Sequence, residues 1–248
     1  MRFKIHSIVA AIAFFSSIDA KGQGCEPVTY DGYTYKVVQI GDQCWFAENL
    51  RTRRYANGDA IPVDSSDEQL SEMNQGARVV YGEDERCNNK SPDGDACDPN
   101  WSLKEYGRLY NSLAMNDGRG LCPSGWHVPT DGEFMALEME LGVSEVECNK
   151  VFWRGTDQGT QLKATYGWND DGNGENSSGF SGLPGGVRLF DGRFRGAGSY
   201  GVWWSSSPAG SEFWNRTLFD VGSDITRHNS GSGTFLSVRC LKDDKDDE

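Results

Sequence analysis

The segment CPSGWHVPTDGEFMALEMELG, residues 122–142, contains the clearest helix signal in the chain. Thr130 can cap a helix here, and Glu133, three residues later, can reach back to complete a capping box. The apolar positions that follow recur at the spacing of one helix face, at Phe134, Leu137 and Leu141. Gly142 comes next and is a typical helix stop. The pattern predicts one clear helix near residues 130–141.

Upstream of this helix, residues 28–49 alternate aromatic or β-branched residues with polar ones. Turn dipeptides interrupt the alternation twice, at Asp31-Gly32 and at Gly41-Asp42. Two turns between such runs predict a three-stranded antiparallel meander. Residues 56–104 are poor in large apolar side chains, which predicts loops with a short helix near residues 68–73.

The C-terminal part of the chain favours a sheet. After Arg154, short aromatic segments are separated by glycines, and the whole sequence contains 31 Gly. This composition predicts short antiparallel strands and long ordered loops. Together with the predicted helix, it indicates a single α+β domain.

The N-terminus has the pattern of a secretory signal peptide. Arg2 and Lys4 precede an apolar run at residues 8–15, which is too short to span a bilayer, and small residues follow it. We therefore expect residues 1–20 to be a signal peptide and the mature protein to be exported, either secreted or held at the cell surface. Lipid attachment at Cys25 is the alternative.

The charge of the chain narrows the classes of ligand. The sequence has 37 acidic and 24 basic side chains, for a net charge of −13. Such a charge repels nucleic-acid phosphate and anionic lipid, and it leaves cations, neutral glycans or basic proteins as partners. No segment after the N-terminus is long and apolar enough for a transmembrane helix. Residues 242–248 are all charged and predict a disordered acidic tail.

The chain has seven cysteines, and in an exported protein six of them are expected to pair in disulfides. The sequence by itself fixes no connectivity. Cys87 and Cys97 flank a short polar loop that a disulfide can close, and a bond between Cys25 and Cys44 would bracket the first hairpin. Cys148 is then the odd thiol, either free and buried or in an intermolecular bond. Lipidation of Cys25 would instead leave Cys44 to pair with Cys148.

Several blocks of sequence occur together in a fixed order. They are residues 33–35, 40–41, 45–50, 106–111, 122–129, 153–156, 159–163, 179–186, 203–207 and 237–240, with WFAENL, YGRLYN, CPSGWHVP, GFSGLPGG and WWSSS among them. The series resembles the Fibrobacter succinogenes major paralogous domain, a family of exported bacterial proteins. The resemblance predicts one such domain over residues 26–241.

This resemblance implies a C-type lectin-like fold, shared distantly with formylglycine-generating enzymes and with bacterial surface binding proteins. It implies no settled activity. In that fold a cysteine near the start of a helix bridges to one in the last strand, which favours a bond between Cys122 and Cys240. The chain departs from the family at residues 83–101, an insertion that contains Cys87 and Cys97 and marks a place of local specialisation.

Two acidic loops are candidate Ca²⁺ sites, because hard oxygen ligands on a tight loop suit this ion. The first resembles the calcium repeats of thrombospondin type 3 and offers Asp93, Asp95 and Asp98. The second offers Asn169, Asp170, Asp171, Asn173 and Glu175. The second loop begins like the ligand triplet of animal C-type lectins but lacks their Glu-Pro-Asn or Gln-Pro-Asp partner. The alternatives are a disulfide-held surface loop for the first, and a structural Ca²⁺ or a self-hydrogen-bonded loop for the second. No cofactor is required.

Aromatic residues late in the chain are candidate glycan contacts, since indole faces match sugar rings in shape and polarity. Trp214 is the first candidate, because it follows a Pro-Ala-Gly segment in an expected loop beside Asn215 and Arg216. Trp203 and Trp204 are further candidates, with burial in the core as the alternative interpretation.

The sequence contains no evident catalytic set. The serines at 205–207 lack a Gly-x-Ser-x-Gly setting, the histidines at 127 and 228 are too few for a zinc site, and Cys240 lacks a second late cysteine. We therefore expect a binding or adhesion module, not an enzyme, that recognises an extracellular glycan or protein through surface loops. A structural component of the cell envelope without sugar binding is the alternative, and an enzyme on a formylglycine-generating-like fold ranks last.

Overall fold

The computed structural model describes residues 25–64, 74–83, 87 and 91–244. Strands dominate, with a few short helices, which confirms the mixed α+β class. The helices are α1 (Pro99–Tyr106), α2 (Ser112–Met115), α3 (Asp131–Glu140), α4 (Glu145–Cys148) and α5 (Gln158–Leu162). The strands are β1 (Val28–Tyr30), β2 (Tyr33–Tyr35), β3 (Val37–Ile40), β4 (Gln43–Phe46), β5 (Arg78–Val79), β6 (Leu109–Asn111), β7 (Trp126–His127), β8 (Phe152–Arg154), β9 (Gly185–Arg188), β10 (Phe194–Ala197), β11 (Tyr200–Ala209), β12 (Glu212–Phe219), β13 (Ile225–Ser230), β14 (Phe235–Leu236) and β15 (Leu241–Lys242).

Three sheets organise the described strands. β1 and β2 form a hairpin by themselves, while β3, β4, β15 and β7 form a second sheet in that order. The largest sheet has the order β5-β6-β14-β9-β11-β12-β13-β8, and β10 pairs with β9. The long β11–β12 hairpin lies inside this sheet, with Trp203 opposite Arg216. β15 pairs with β4, at Leu241 and Trp45, so the end of the described chain is joined to its beginning.

The N-terminal strands differ from the predicted meander. Both turns lie where the sequence places them, with Gly32 and Gly41 in the left-handed region at φ 79° and 58°. The chain makes four strands in two sheets, however, because the Lys36 amide between β2 and β3 donates to Glu48 Oε2 (2.9 Å). The prediction of one three-stranded meander is therefore wrong.

Residues 56–104 contain more structure than predicted. The short helix expected near residues 68–73 lies outside the described residues. β5 lies within the region and α1 begins in it, where Asp98 caps α1 by accepting from the Asn100 amide (2.9 Å). Gly107, with φ 76°, ends α1 and lets it approach the Leu50 carbonyl so closely that an added Cβ would lie 2.9 Å from that oxygen.

Helix α3 forms as its sequence predicts. Thr130 Oγ1 accepts from the Glu133 amide (3.2 Å), and Glu133 Oε2 accepts from the Thr130 amide (2.6 Å), so both halves of the capping box are present. The apolar face of the helix is buried, with Phe134 and Leu137 in one core cluster with Trp45.

A buried set of charges joins α3 to the largest sheet. We call it the α3 charge cluster, and it consists of Asp131, Glu138, Arg154, Arg216 and Arg227. Glu138 Oε1 accepts from Arg154 Nη2 (2.6 Å) and from Arg216 Nε (2.5 Å). Asp131 accepts from Arg216 Nη1 (2.8 Å) and from Arg227 Nη2 (2.6 Å). Buried charges require such partners because they have lost their water.

Three disulfides join the cysteines in the predicted pairs, Cys25–Cys44, Cys87–Cys97 and Cys122–Cys240. Cys148 is free and buried, as one of the two predicted alternatives requires. Burial, with the nearby Glu138 carboxylate, raises the pKa of its thiol to about 11, so it is not a thiolate at neutral pH. Because its sulfur is bonded to Cys44, Cys25 has no thiol in this structure that could carry a lipid.

The two ends of the chain were predicted to be a signal peptide and a disordered acidic tail. The predicted signal peptide, residues 1–20, lies outside the described residues. At the C-terminus, Lys242 pairs with Trp126 and the Asp243 amide donates to the Gly125 carbonyl (3.0 Å), so the predicted disordered tail is wrong for these two residues. Residues 245–248 lie outside the described part of the chain. None of the helices in the described ranges has the length and apolar character that a membrane crossing needs.

Candidate functional site

An open groove of about 790 Å³ lies between the first hairpin, the segment after β4, helix α1 and the segment that leads to β9. Five cationic side chains and three carboxylates are among the residues around it. The lining residues are Asp31, Tyr33, Lys36, Ala47, Glu48, Asn49, Arg51, Arg53, Asn100, Leu103, Lys104, Glu105, Arg108, Tyr166, Ser181 and Leu183.

Glu48 fixes one wall of the groove. Its Oε1 accepts from the Tyr33 hydroxyl (2.7 Å) and its Oε2 from the Lys36 amide (2.9 Å). Arg51 Nη1 approaches Oε1 at 3.5 Å. Burial opposes ionisation of Glu48, but these donors and the Arg51 charge outweigh it and lower the pKa of the carboxyl. Glu48 is therefore a carboxylate already engaged by the protein.

Arg51 connects this wall to α1. Its Nη2 donates to the Lys104 carbonyl (2.8 Å) and its Nε to the Leu103 carbonyl (3.3 Å), both in the last turn of the helix. Its guanidinium also lies 4.3 Å from the centre of the Tyr33 ring. A cation at the C-terminal end of a helix satisfies carbonyls that lack a helical donor. The contact holds α1 against the groove.

A fully buried arginine lies beneath the groove. Arg239 donates to Asn49 Oδ1 (3.1 Å), to the Ser181 carbonyl (2.8 Å) and to the carbonyls of Phe46 and Phe180. Among the described residues no carboxylate pairs with it. Burial lowers its pKa to about 9, which leaves it charged at neutral pH. The groove floor therefore has a positive charge behind it that only neutral oxygens solvate.

Two residues of the groove adopt left-handed backbone conformations although they are not glycine. Asp31 has φ 45° and Ser181 has φ 56°. Asp31 Oδ2 accepts from the Arg53 amide (2.7 Å), and Ser181 is held by Asn176, whose Oδ1 accepts from the Ser181 amide (2.7 Å). Such conformations persist where surrounding contacts enforce them, and they often occur at functional sites.

Other groups in the groove lack protein partners. No hydrogen bond or ion pair joins the Nζ atoms of Lys36 and Lys104 to a described residue, and both side chains are exposed. Glu105 Oε1 is buried and has no hydrogen-bond partner in the described part of the chain. Tyr166 is 47% exposed, and burial, followed by hydrogen bonding to the Glu105 side chain and the charge of that carboxylate, raises its pKa to about 12. These groups are available to a ligand.

The aromatic site predicted from the sequence is largely buried. Trp203 and Trp204 are 1% and 0% exposed, and Asn215 and Arg216 are 2% and 3% exposed. Their expected surface position is therefore wrong, because Trp204 and Trp203 pack in two core clusters and Arg216 belongs to the α3 charge cluster. Trp214 lies in β12 rather than in a loop, and its ring is partly covered by the Arg227 guanidinium 3.7 Å from its centre.

The first acidic loop uses two of its carboxylates locally. Asp95 Oδ1 accepts from the Cys97 amide (3.0 Å), and Asp98 is the N-cap of α1. Asp93 lies in the same turn, where its amide faces Ser91 Oγ at 3.5 Å. Within the described ranges, no three His, Cys, Asp or Glu side chains come together to hold a metal. Calcium binding by this loop stays a prediction.

The second acidic loop also satisfies itself in part. Asn173 Oδ1 accepts from the Trp168 amide (3.0 Å), and Asn169 Nδ2 donates to Ser199 Oγ (3.1 Å). Asp170 and Asp171 both adopt left-handed conformations, at φ 50° and 58°, and are exposed, as is Glu175. The side-chain contacts are those of a self-hydrogen-bonded turn.

Sequence reasoning assigned no role to any residue of the groove. Tyr33, Glu48 and Ser181 belong to the blocks that carry the family resemblance, so a signal for them was present. Lys104 and Glu105 lie on α1, of which only residues up to 104 belong to the segment predicted as loops, and Tyr166 lies outside every block. No linear pattern joins these residues, since their contact depends on the fold.

Comparison with known proteins supports the family resemblance. The family described as the Fibrobacter succinogenes major domain matches residues 38–242. No curated protein matches the chain, and no solved structure does. The match covers the second sheet, the largest sheet and most of the groove lining. The chain therefore belongs to the Fibrobacter succinogenes major domain family.

Proposed function

We propose that this protein is an exported binding module that recognises an extracellular glycan in the groove. The volume of about 790 Å³ falls in the range of roughly 300–1,000 Å³ that is typical of ligand sites. The groove combines aromatic side chains with hydrogen-bonding groups of both kinds, which is the composition that a sugar requires. Binding alone is proposed, without a reaction.

The observation that carries the proposal is the proximity of the Tyr166 ring to the Glu105 side chain at the groove. Tyr166 exposes 47% of its surface at the groove, and the buried Glu105 Oε1 beside it lacks a donor among the described residues. A sugar ring can stack on the phenol and place a hydroxyl on the carboxylate oxygen. An unpaired buried acceptor costs about 1–3 kcal/mol, so a ligand that supplies the donor recovers that free energy.

Rigid surroundings favour such a ligand. Glu48 and Arg51 are held by several hydrogen bonds each before anything binds. A site whose walls are already ordered loses less conformational entropy on binding. The groove is thus prepared to bind a ligand without rearrangement of the Glu48 wall.

The proposal includes the fold and the location. We infer a C-type lectin-like fold, supported by the Cys122–Cys240 bond, which ties the segment before α3 to the segment before β15. Export is supported by the apolar run at residues 8–15 and by three disulfides, which persist in oxidising compartments. Ca²⁺ is not required by the groove, and it remains a candidate ligand of the two acidic loops.

An array of neutral and acidic glycans, probed with and without a chelator, tests the function. We expect binding that Tyr166→Ala reduces at least about tenfold, since stacking and excluded water are both lost. Phe190→Ala is the matched control, because Phe190 is 59% exposed and does not line the groove. Absence of binding across the array, or equal loss in both variants, would overturn the proposal. Loss with chelator would assign a role to Ca²⁺.

A second candidate function is contact with a cell-envelope protein, and the edge strand β8 favours it. Phe152 and Trp153 are 56% and 51% exposed at the end of the largest sheet. Adjacent exposed aromatic residues on an edge strand are typical of protein contacts. A photo-reactive residue at position 153 should give a discrete cross-linked product on intact cells, whereas one at position 190 should not. No product at position 153 would argue against this function.

A further inference from the structure

The local charge of the groove is opposite to that of the chain. The chain has a net charge of −13, yet five cations and three carboxylates line the groove. Two of the carboxylates are already paired, Glu48 with Arg51 and Asp31 with Arg53, each at 3.5 Å. Fields from like charges add in a concave surface with low-dielectric walls, so the remaining cations give the groove a positive potential.

The remaining cations are placed to meet an anion. Lys36 and Lys104 are exposed and make no ion pair with a described residue. Arg108 is 8% exposed and donates its Nε to the Arg51 carbonyl (3.0 Å), with no carboxylate partner in the described chain. Arg239 adds a further buried charge beneath the floor. Against these four positive groups, Glu105 is the one carboxylate of the groove lining without an ion pair among the described residues, and its side chain faces the Tyr166 hydroxyl.

The same groove also needs a hydrogen-bond donor. Glu105 Oε1 is buried without a partner among the described residues, and a simple anion such as phosphate or a carboxylate would repel it. The ligand must therefore carry negative charge on one part and hydroxyl donors on another. A sugar acid meets both conditions within a single ring, and its ring face fits the exposed Tyr166.

We propose that the groove selects carboxylate-bearing sugars, such as the uronic acid residues of acidic glycans. Lys36 and Lys104 bind the carboxylates, Glu105 accepts from a ring hydroxyl, and Tyr166 contacts the ring face. This inference rests on the proposed glycan-binding function and adds the class of sugar. An acidic peptide is the less suitable ligand, because its carboxylates lie on flexible side chains away from its backbone donors.

Calorimetry with oligogalacturonate and with its fully methyl-esterified form tests the inference. The two ligands share the ring, the linkage and the length, and they differ only in the charge of the carboxyl group. We expect the acid to bind at least about tenfold more tightly than the ester, since charge-assisted hydrogen bonds are roughly twice as strong as neutral ones. Polyglutamate is the peptide comparison and should bind at least about tenfold more weakly.

Two double variants distinguish the effect of the groove charges on binding from the effect of the net charge of the protein. Lys36→Gln with Lys104→Gln removes the two groove ammonium groups, and we expect acid binding to fall about tenfold or more while ester binding stays within about twofold. Lys150→Gln with Lys242→Gln removes the same charge elsewhere, at exposed positions, and should change both affinities less than about twofold. All four positions are exposed, so thermal unfolding should show that both proteins fold equally well.

Each outcome decides the inference. Equal binding of acid and ester, equal loss in the two double variants, or polyglutamate binding as tight as that of the oligogalacturonate would overturn it. Binding of neutral glycans alone would overturn the inference and leave the proposed function intact. Absence of binding to any glycan would overturn both.

Discussion

The α3 charge cluster and the groove are both rich in charge, but they differ in how the charges are satisfied. In the cluster every carboxylate contacts two guanidinium groups, and Asp131, Glu138, Arg154 and Arg216 are each at most 7% exposed. In the groove Lys36, Lys104 and the buried Glu105 Oε1 have no partner among the described residues. The charges of the cluster are satisfied within the protein, whereas the groove keeps groups that the proposed ligand would contact.

This difference has a physical cause. Charges inside a protein must pair internally, because the desolvation penalty is several kcal/mol per ion. Charges at the rim of an open groove keep their water, so they can stay unpaired until an anion replaces that water. Pairing thus indicates a structural role for the cluster, and the unpaired cations of the groove support the binding role that we propose for it.

The Glu138→Gln substitution removes a carboxylate from the α3 charge cluster and should have the largest effect on stability. The substitution keeps the shape but leaves Arg154 and Arg216 without their shared negative charge, which should lower the free energy of unfolding by about 3–5 kcal/mol. Denaturant unfolding measures it. Glu140→Gln, at an exposed position of the same helix, should cost less than about 0.5 kcal/mol. Equal denaturation midpoints for the two variants would contradict the structural role assigned to the α3 charge cluster.

Arg239→Met tests the buried charge beneath the groove and should have a smaller effect. The methionine fills similar space, but the carbonyls of Phe46, Phe180 and Ser181 lose their donors. We expect a loss of about 2–4 kcal/mol in unfolding free energy, since neutral oxygens rather than charges are left unpaired. Arg193→Met, on a surface ion pair, is the control and should change the value by less than about 1 kcal/mol. A loss no larger than the control's would contradict the role assigned to Arg239.

Added salt should weaken ligand binding at the groove more than it changes the stability contributed by the α3 charge cluster. Raising NaCl from about 50 to about 500 mM shortens the screening length, so oligogalacturonate binding to the groove should weaken roughly three- to tenfold. The difference in unfolding free energy between wild type and Glu138→Gln should change by less than about 0.5 kcal/mol, because the cluster is buried. Parallel calorimetry and urea titrations at both concentrations provide the comparison, and equal sensitivity in both would contradict it.

His127 is an intermediate case, with its side chain 34% exposed between two carboxylates. The hydrogen bond to Glu133 (2.8 Å), then that to Asp243 (2.6 Å), raise its pKa to about 9 against the effect of burial. Its stabilisation is therefore complete below about pH 6.5 and disappears as the pH rises through about 9.

The His127→Gln substitution should cost about 1 kcal/mol at pH 6, allowing for solvent screening. The difference from wild type should vanish by about pH 10, as urea titrations across the range would show. Asp243→Asn, which removes one carboxylate, should give a smaller loss in the same window. A difference that is constant with pH would contradict the assigned ion pairs.

Local signals in the sequence were reliable where neighbours along the chain decide the structure. The Thr130 and Glu133 capping box, the turns at Gly32 and Gly41, and the closure of Cys87 with Cys97 all formed as predicted. The fold class followed from the same signals together with the glycine-rich composition. The Cys122–Cys240 bond, between residues 118 apart, came from the family resemblance rather than from local pattern.

The predicted glycan contacts were wrong because the sequence does not show which aromatic side chains are exposed. Trp203 and Trp204 have the type of side chain that stacks on sugar rings. They lie, however, on β11, an inner strand of the largest sheet, and both are buried. The groove residues were not predicted as a site, because no linear pattern in the sequence joins them. In the sequence Lys36 and Lys104 resemble ordinary surface charges, and only the fold brings them to the groove that Tyr166 also lines.

The sequence by itself determined the helix α3, the turns, the α+β class and the overall charge, because these depend on composition or on residues close in the chain. Only the tertiary structure decided which charges are paired. Net charge is a sum over the whole chain and predicted neutral glycans or basic partners. Binding depends instead on the charges near one surface, and the fold places Lys36, Lys104 and Arg108 around one groove, with Arg239 donating to Asn49 of its lining.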